Sequence, residues 1–319
     1  MKYFVFYKGE SPIISLPVDA GLKVAYSGIG CFPSHTSIRK VFKIYMYFRI
    51  FIFFIFPFGG QNINGLLDEW LENITFTTIK VFPVFIWSLV DGRERYYVHV
   101  LDKKGTKKYF TKITLKRDDY QLLENERNSL LYFSNAKTFN VPSVIDFTKN
   151  NLYCSLTTSY IDTDYFLNHP ENNIFPNEIA NEIAGVVKKI PLYQTIDEDA
   201  LKQDCIFNDF LKTLNNDILV KVAKAHGDFG SENIFQNSRG DYLIIDWERS
   251  EDLTPYLSDK VAYWLGKYHR LIKNDINMAY NNFRHSFEKY NKVDVVLSLH
   301  FLNSVKFDLA ILVSYKWKE

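Results

Sequence analysis

The decisive stretch runs His226-Gly227-Asp228-Phe229-Gly230-Ser231-Glu232-Asn233-Ile234-Phe235 and continues at residues 243–248 as Leu-Ile-Ile-Asp-Trp-Glu. Its first half sets a carboxylate, Asp228, and an amide, Asn233, on one tight loop ahead of an apolar pair, Ile234-Phe235, suited to a strand. A Gly240-Asp241 turn follows, and Tyr242 to Ile245 returns as a second strand that ends on Asp246. Two short antiparallel strands would thus carry Asp228, Asn233 and Asp246 to one end of a hairpin. Moving a phosphoryl group needs such a set: one carboxylate to orient and deprotonate the attacking hydroxyl, and an amide plus a second carboxylate to hold magnesium against the phosphates. The plain alternative is an Asx-rich turn between strands. The loop and the Asp246 strand together are much more specific than a lone glycine pattern.

Composition sets the bounds. A chain of 319 residues, 47% of them hydrophobic, can bury a sizeable core and suggests two lobes more than one. The net charge of +1 leaves no basic surplus along which a duplex could bind, so nucleic acid is not an expected partner. Cys31, Cys154 and Cys205 are odd in number, widely spaced and without a paired metal or redox motif, which points to a reducing, cytoplasmic compartment. Tyr3 to Tyr7 is too short an apolar block for a signal peptide, and Lys8 and Glu10 follow at once.

The segment Val41 to Phe58 is dense in aromatics, interrupted by Lys43 and Arg49 and closed by Pro57-Phe58-Gly59-Gly60. Its charge-free core, Ile50 to Phe56, falls far short of the roughly 20 apolar residues that a membrane span requires. Two readings stand. One is a buried element of an N-terminal extension, the commoner fate of aromatic runs. The other is an aromatic and basic helix lying on a membrane surface, which Arg39, Lys40, Lys43 and Arg49 suit, and which would make the protein peripheral at the inner membrane surface.

From about Ile79 the pattern favours strands. Val81 to Val90, Tyr96 to Leu101 and Lys108 to Leu115 are joined by the Asp91-Gly92 turn and by residues 102–107, giving a small antiparallel sheet. Asp118 to Asn135 suits a helix, with acids near the positive end of its dipole. Pro142 breaks the chain, Val144 to Phe147 and Leu152 to Thr157 read as two more strands, and Ser159 to Asp162 as a connector. Beyond it, Asn177 to Lys189, Asp197 to Asn215, Asp217 to Ala225, Ser258 to Ile272, Ile276 to Tyr290 and Val293 to Ser314 carry helical spacing. Only the pair around Asp228 to Asp246 reads as strand there. The expected fold is α+β in three parts: residues 1–78 an extension of unknown fold, 79–160 a β-rich nucleotide-binding lobe, and 161–319 a helical catalytic and substrate-binding lobe.

A β-rich lobe, a short connector and a helical lobe with an early catalytic hairpin form a protein-kinase-like, two-lobed order. The His-Gly-Asp228, four residues, Asn233 pattern, with Ile-Asp246-Trp-Glu248, closely resembles the signature of the aminoglycoside phosphotransferase and choline kinase family, over roughly residues 79–270. Gly227 stands where protein kinases usually carry Arg, and no Ala-Pro-Glu segment appears downstream, so a small-molecule kinase is favoured over a protein kinase. The resemblance implies a transferase that uses ATP or GTP and Mg2+ to phosphorylate a hydroxyl of an amino-alcohol, aminoglycoside or sugar. Asp228 is then the base, Asn233 a magnesium ligand and Asp246 the main magnesium ligand. His226 would pin the loop, Glu248 would support the metal site or simply be an exposed acid, and Asp259, in Pro255-Tyr-Leu-Ser-Asp259, would begin a helix and brace the catalytic loop. Alternatives from other classes are a kinase of proteins or membrane glycolipids, and a kinase-like binding module without catalysis.

In the first lobe Lys112, inside the third strand, is the candidate for contacting the nucleotide α- and β-phosphates; the plain alternative is one more solvated strand lysine. Its partner by resemblance is Glu126, an acid one helical turn before Leu130, with Glu124 competing. The phosphate-covering loop, Ser88 to Arg95, has Gly92 as its only glycine, and Arg93 and Arg95 read as exposed loop charges more than as phosphate ligands. For a cationic acceptor the available acids are Glu251, Asp252, Asp197, Glu198, Asp199 and Asp204, and the available aromatics Tyr256, Tyr263, Trp264 and Tyr268. Both sets are also what ordinary surface and core would contain.

Overall fold

The computed structural model describes residues 2–33, 36–56, 81–88, 94–161, 165–167, 175–194, 209–210, 212–214 and 218–302. The chain divides into two compact units, Met1–Arg127 with Pro142–Ile161, and Asn128–Val141 with Asp162–Glu319. The strands in chain order begin β1 (Tyr3–Lys8), β2 (Ser11–Pro17), β3 (Val81–Trp87), β4 (Arg95–Asp102), β5 (Lys107–Thr114), β6 (Phe139–Asn140), β7 (Val144–Lys149) and β8 (Cys154–Ser159). They continue as β9 (Tyr165–Leu167), β10 (Lys188–Pro191), β11 (Leu219–Ala225), β12 (Ile234–Asn237), β13 (Tyr242–Ile244) and β14 (Glu251–Pro255). The helices used below are α1 (Leu22–Cys31), α2 (Ser37–Ile55), α3 (Tyr120–Tyr132), α4 (Asn177–Ala184) and α5 (Ser258–Lys267).

The first unit is built on a seven-stranded sheet in the order β1-β2-β3-β4-β5-β8-β7, antiparallel throughout. From the segment before residue 79, β1 and β2 join this sheet, with Ile14 opposite Ile86 and Ser15 opposite Phe85. Helices α1 and α2 pack on one face around Ile14, Leu16, Val24, Met46, Ile50 and Val84. Gly28 permits that approach, because a Cβ there would stand 2.8 Å from both Leu16 and Val84. The other face of the sheet buries Tyr3, Phe85, Val98, Val100 and Ile113. Residues 41–55 of the aromatic run therefore lie in one helix, but burial claims only one side of it. Phe42 and Phe53 touch Phe6 and Phe4, whereas Ile44, Phe48 and Phe51 lie exposed. Among the described residues no helix is long and apolar enough to cross a membrane.

The second unit holds two small sheets, β10-β11-β14 and β6-β13-β12-β9, with helices packed about Val261, Trp264, Phe283, Phe287 and Leu299. The expected α+β composition is observed, but strand content after the connector exceeds the expectation. Leu219–Ala225, inside the stretch 217–225 read as helical, forms β11 instead, where Val220 and Val222 are buried and Leu219 and Lys221 are exposed. That period of two serves a strand flanked on both sides by partners. The helix expected to reach Lys189 stops at Ala184, where Gly185 has φ 54°, and Ser258 to Ile272 is two helices, Ser258–Lys267 and His269–Asn274. The glycine-poor loop with Gly92 and Arg93, the acids 197–204, most of the helix expected at 197–215 and the chain after residue 302 lie outside the described residues.

Candidate active site

In the second unit the hairpin forms as the pattern requires. Strands β12 and β13 pair with Ile234 opposite Ile244 and Gln236 opposite Tyr242. Asn237 shapes the turn, its Oδ1 accepting from the backbone N–H of Arg239 and of Asp241, while Gly240 takes φ 90°. At the other end of the hairpin Asn233 donates its Nδ2 to the Asp228 carbonyl at 2.8 Å and accepts the Ile245 N–H on its own carbonyl at 3.1 Å. With its nitrogen committed to the loop, the amide's oxygen is the atom suited to a cation. Asp246 has φ 64° and ψ 56°, the left-handed region, and among the described residues it is the only non-glycine with positive φ. Aspartate tolerates that conformation better than most side chains, and such strain gathers at functional positions. The adjoining Trp247 is fully buried against Phe133, Phe139 and His226 and anchors the turn.

The loop is held from beneath. His226 is buried, with Nε2 2.9 Å from the Ile245 carbonyl and Nδ1 accepting the Asp228 N–H at 3.3 Å, so both ring nitrogens are used in positioning. Asp259, near the start of α5, accepts the backbone N–H of His226 at 2.9 Å and of Gly227 at 3.1 Å. Burial raises the Asp259 carboxyl to about 6, and the two N–H donors only partly oppose it. Gly227 has φ 82°, and a Cβ there would run into the Arg249 carbonyl. No side chain, arginine included, fits that position without moving the backbone.

The electrostatics of Asp228 follow from its neighbours. Its carboxyl is raised, first by burial and then by the charges of Asp246, Glu232 and Glu248, while Arg249 pulls it down. Glu248 is buried, not an exposed acid. Neither Arg249 nor Glu232 stood out in the sequence: Arg249 carried no signal beyond following Asp246 by three, and Glu232 was only one member of the loop. The Asn233 amide oxygen and the Asp246 carboxylate are hard oxygen donors, the chemistry that magnesium takes.

In the first unit Lys112 is buried on β5, and its Nζ lies 3.0 Å and 2.8 Å from the two carboxylate oxygens of Glu126 on α3, also buried. Glu124 pairs with Lys149 at 2.7 Å near the surface instead. Arg95 is buried, 3.6 Å from Asp119, and is not an exposed loop charge. Of the acceptor candidates, Asp252 binds Lys224 at 2.6 Å, and Trp264 and Tyr263 are core residues, with Trp264 stacked edgewise on Phe283.

No protein-family model matches the chain, and no curated protein does. Solved structures that resemble it include aminoglycoside phosphotransferases. APH(4)-Ia shares 12% identity over 74% of this chain and 88% of its own, with a TM-score of 0.46. The GDP and kanamycin complex of APH(2")-IIia shares 13% over 77% and 84%, TM-score 0.42. APH(3'')-Id from Streptomyces rimosus shares 14% over 68% and 91%, TM-score 0.40.

Proposed function

We propose that this chain is a phosphotransferase that moves the γ-phosphoryl group of ATP or GTP to a hydroxyl of a small molecule of amino-alcohol, aminoglycoside or sugar type. The observation that carries this reading is the hairpin end, where Asp228, Asn233 and a left-handed Asp246 are tied together by the Asn233–Asp228 and Ile245–Asn233 hydrogen bonds. Asp228 accepts the proton of the acceptor hydroxyl as its oxygen attacks the γ-phosphorus; the new O–P bond forms while the bond to the β-phosphate oxygen breaks and the nucleoside diphosphate leaves. Burial and neighbouring carboxylates make Asp228 a stronger base than a solvated aspartate. Asn233 Oδ1 and the Asp246 carboxylate would hold magnesium, which supplies neutralisation of charge on the phosphates. Lys112, fixed by Glu126, orients the nucleotide phosphates. The positive φ and the Arg249 carbonyl at Gly227 support a small-molecule acceptor, since they exclude the arginine of the protein-kinase pattern.

The test is nucleotide consumption by the purified protein with ATP or GTP and magnesium across a panel of alcohols, aminoglycosides and sugars. Turnover with at least one acceptor is expected, lowered about 10³-fold or more by Asp228→Asn, as for loss of a general base together with its positioning. Nucleotide binding without turnover on any acceptor, or turnover unchanged by Asp228→Asn, refutes the reading.

A further inference from the structure

We propose that the outer face of α2 docks on an anionic phospholipid bilayer, with the helix lying flat in the interface. The proposal is independent of the phosphotransferase reading. Helix α2 is apolar on two sides. Its inner side is spent on the core of the first unit, through Phe42, Met46, Ile50 and Phe53. Its outer side carries Ile38, Val41, Ile44, Phe48, Phe51 and Ile55, exposed by 82%, 66%, 69%, 61%, 47% and 52%. At 3.6 residues per turn these six fall on one continuous arc of about 140° along the whole helix. A contiguous apolar stripe of that kind on an otherwise ordinary surface marks a contact surface.

Charge identifies the occupant. Residues 37–56 contain no Asp or Glu and four cations, Arg39, Lys40, Lys43 and Arg49. Lys43 is spent within the unit, its Nζ 3.3 Å from the Gly30 carbonyl at the end of α1. Exposed Lys40 and Arg49 border the apolar arc on opposite sides, and partly exposed Arg39 lies behind it. Long basic side chains flanking an aromatic and aliphatic face are the composition of a helix whose apolar side enters the acyl region while its cations meet lipid phosphates. A second copy of this chain would set cations against cations with no acid in either helix to relieve them. A protein partner would also have to forgo hydrogen bonds, because the centre of the arc offers almost none, whereas acyl chains need none.

The experiment is sedimentation of the full chain with vesicles of phosphatidylcholine alone and of phosphatidylcholine with phosphatidylglycerol, at low and high salt. Co-sedimentation with the anionic vesicles is expected, about tenfold or more weaker on the neutral ones and weakened by salt. Phe48→Glu/Phe51→Glu should abolish binding, and Lys40→Glu/Arg49→Glu should lower it about tenfold or more and flatten its salt dependence, with thermal unfolding unchanged because these side chains face outward. No binding of the wild-type chain to anionic vesicles overturns the proposal, as does equal binding to neutral ones. So does a wild-type dimer that Phe48→Glu/Phe51→Glu converts to monomer while vesicle binding is absent. Should a variant fold poorly, the two wild-type comparisons decide alone.

Discussion

Asp259→Asn isolates the element that fixes the catalytic loop. In the folded chain Asp259 is buried, accepts two backbone N–H groups and titrates near 6, against an ordinary 3.8. Two effects oppose each other there: the N–H donors favour the carboxylate, and burial favours the acid. Burial wins, so the folded state holds the proton more tightly than the unfolded chain. A carboxyl raised in this way contributes stability that is complete below the unfolded value and is lost as pH rises through the folded one. The full loss is about 3 kcal/mol, of which about 2 kcal/mol falls between about pH 4 and pH 7.5.

Asparagine does not titrate. It can satisfy one backbone N–H and sets its own NH₂ against the other, a pH-independent cost of about 1–3 kcal/mol. Urea unfolding of wild type and Asp259→Asn at steps across that range should therefore give a stability difference that shrinks by about 2 kcal/mol as pH rises. A difference constant in pH means that Asp259 is not raised. A difference that grows with pH means that the N–H donors outweigh burial, and either result refutes the reasoning.

Two further outcomes follow from geometry. Lys112→Met removes the cation from the buried Glu126 carboxylate and should cost about 3–5 kcal/mol in urea unfolding, most of it restored in Lys112→Met/Glu126→Leu, which nevertheless should not regain nucleotide-dependent thermal stabilisation. Gly227→Ala forces a side chain into φ 82° and onto the Arg249 carbonyl, and should cost about 2 kcal/mol or more, whereas Gly240→Ala, at φ 90° with only ordinary contact to the Gln236 side chain at 3.9 Å, should cost only about 1–2 kcal/mol.

How much of this was legible depends on whether local pattern or distant pairing decides a position. The hairpin was legible because Asp228, Asn233 and Asp246 are spaced by a turn and two short strands whose pairing with each other is local in sequence. Glu126 was favoured over Glu124 by family resemblance alone, and the structure adds the reason: Leu123, Glu126 and Leu130 share one buried stripe of the helix. Strand β11 was not legible, since Ala223, Lys224 and Ala225 suit either period and the choice falls to the neighbours β10 and β14, distant in sequence. The left-handed Asp246 leaves no trace either, because aspartate is not the residue that advertises positive φ.

Helix α2 shows the limit most clearly. A helix apolar on two sides gives no periodicity by which to tell its inner face from its outer one. Partners distant along the chain, among them Phe4 and Phe6 on β1, which meet Phe53 and Phe42, determine which side is core. Once that side is assigned, the remainder of the same hydrophobic run changes meaning: Ile44, Phe48 and Phe51 stay exposed, and the basic residues bordering them become the informative part of the sequence.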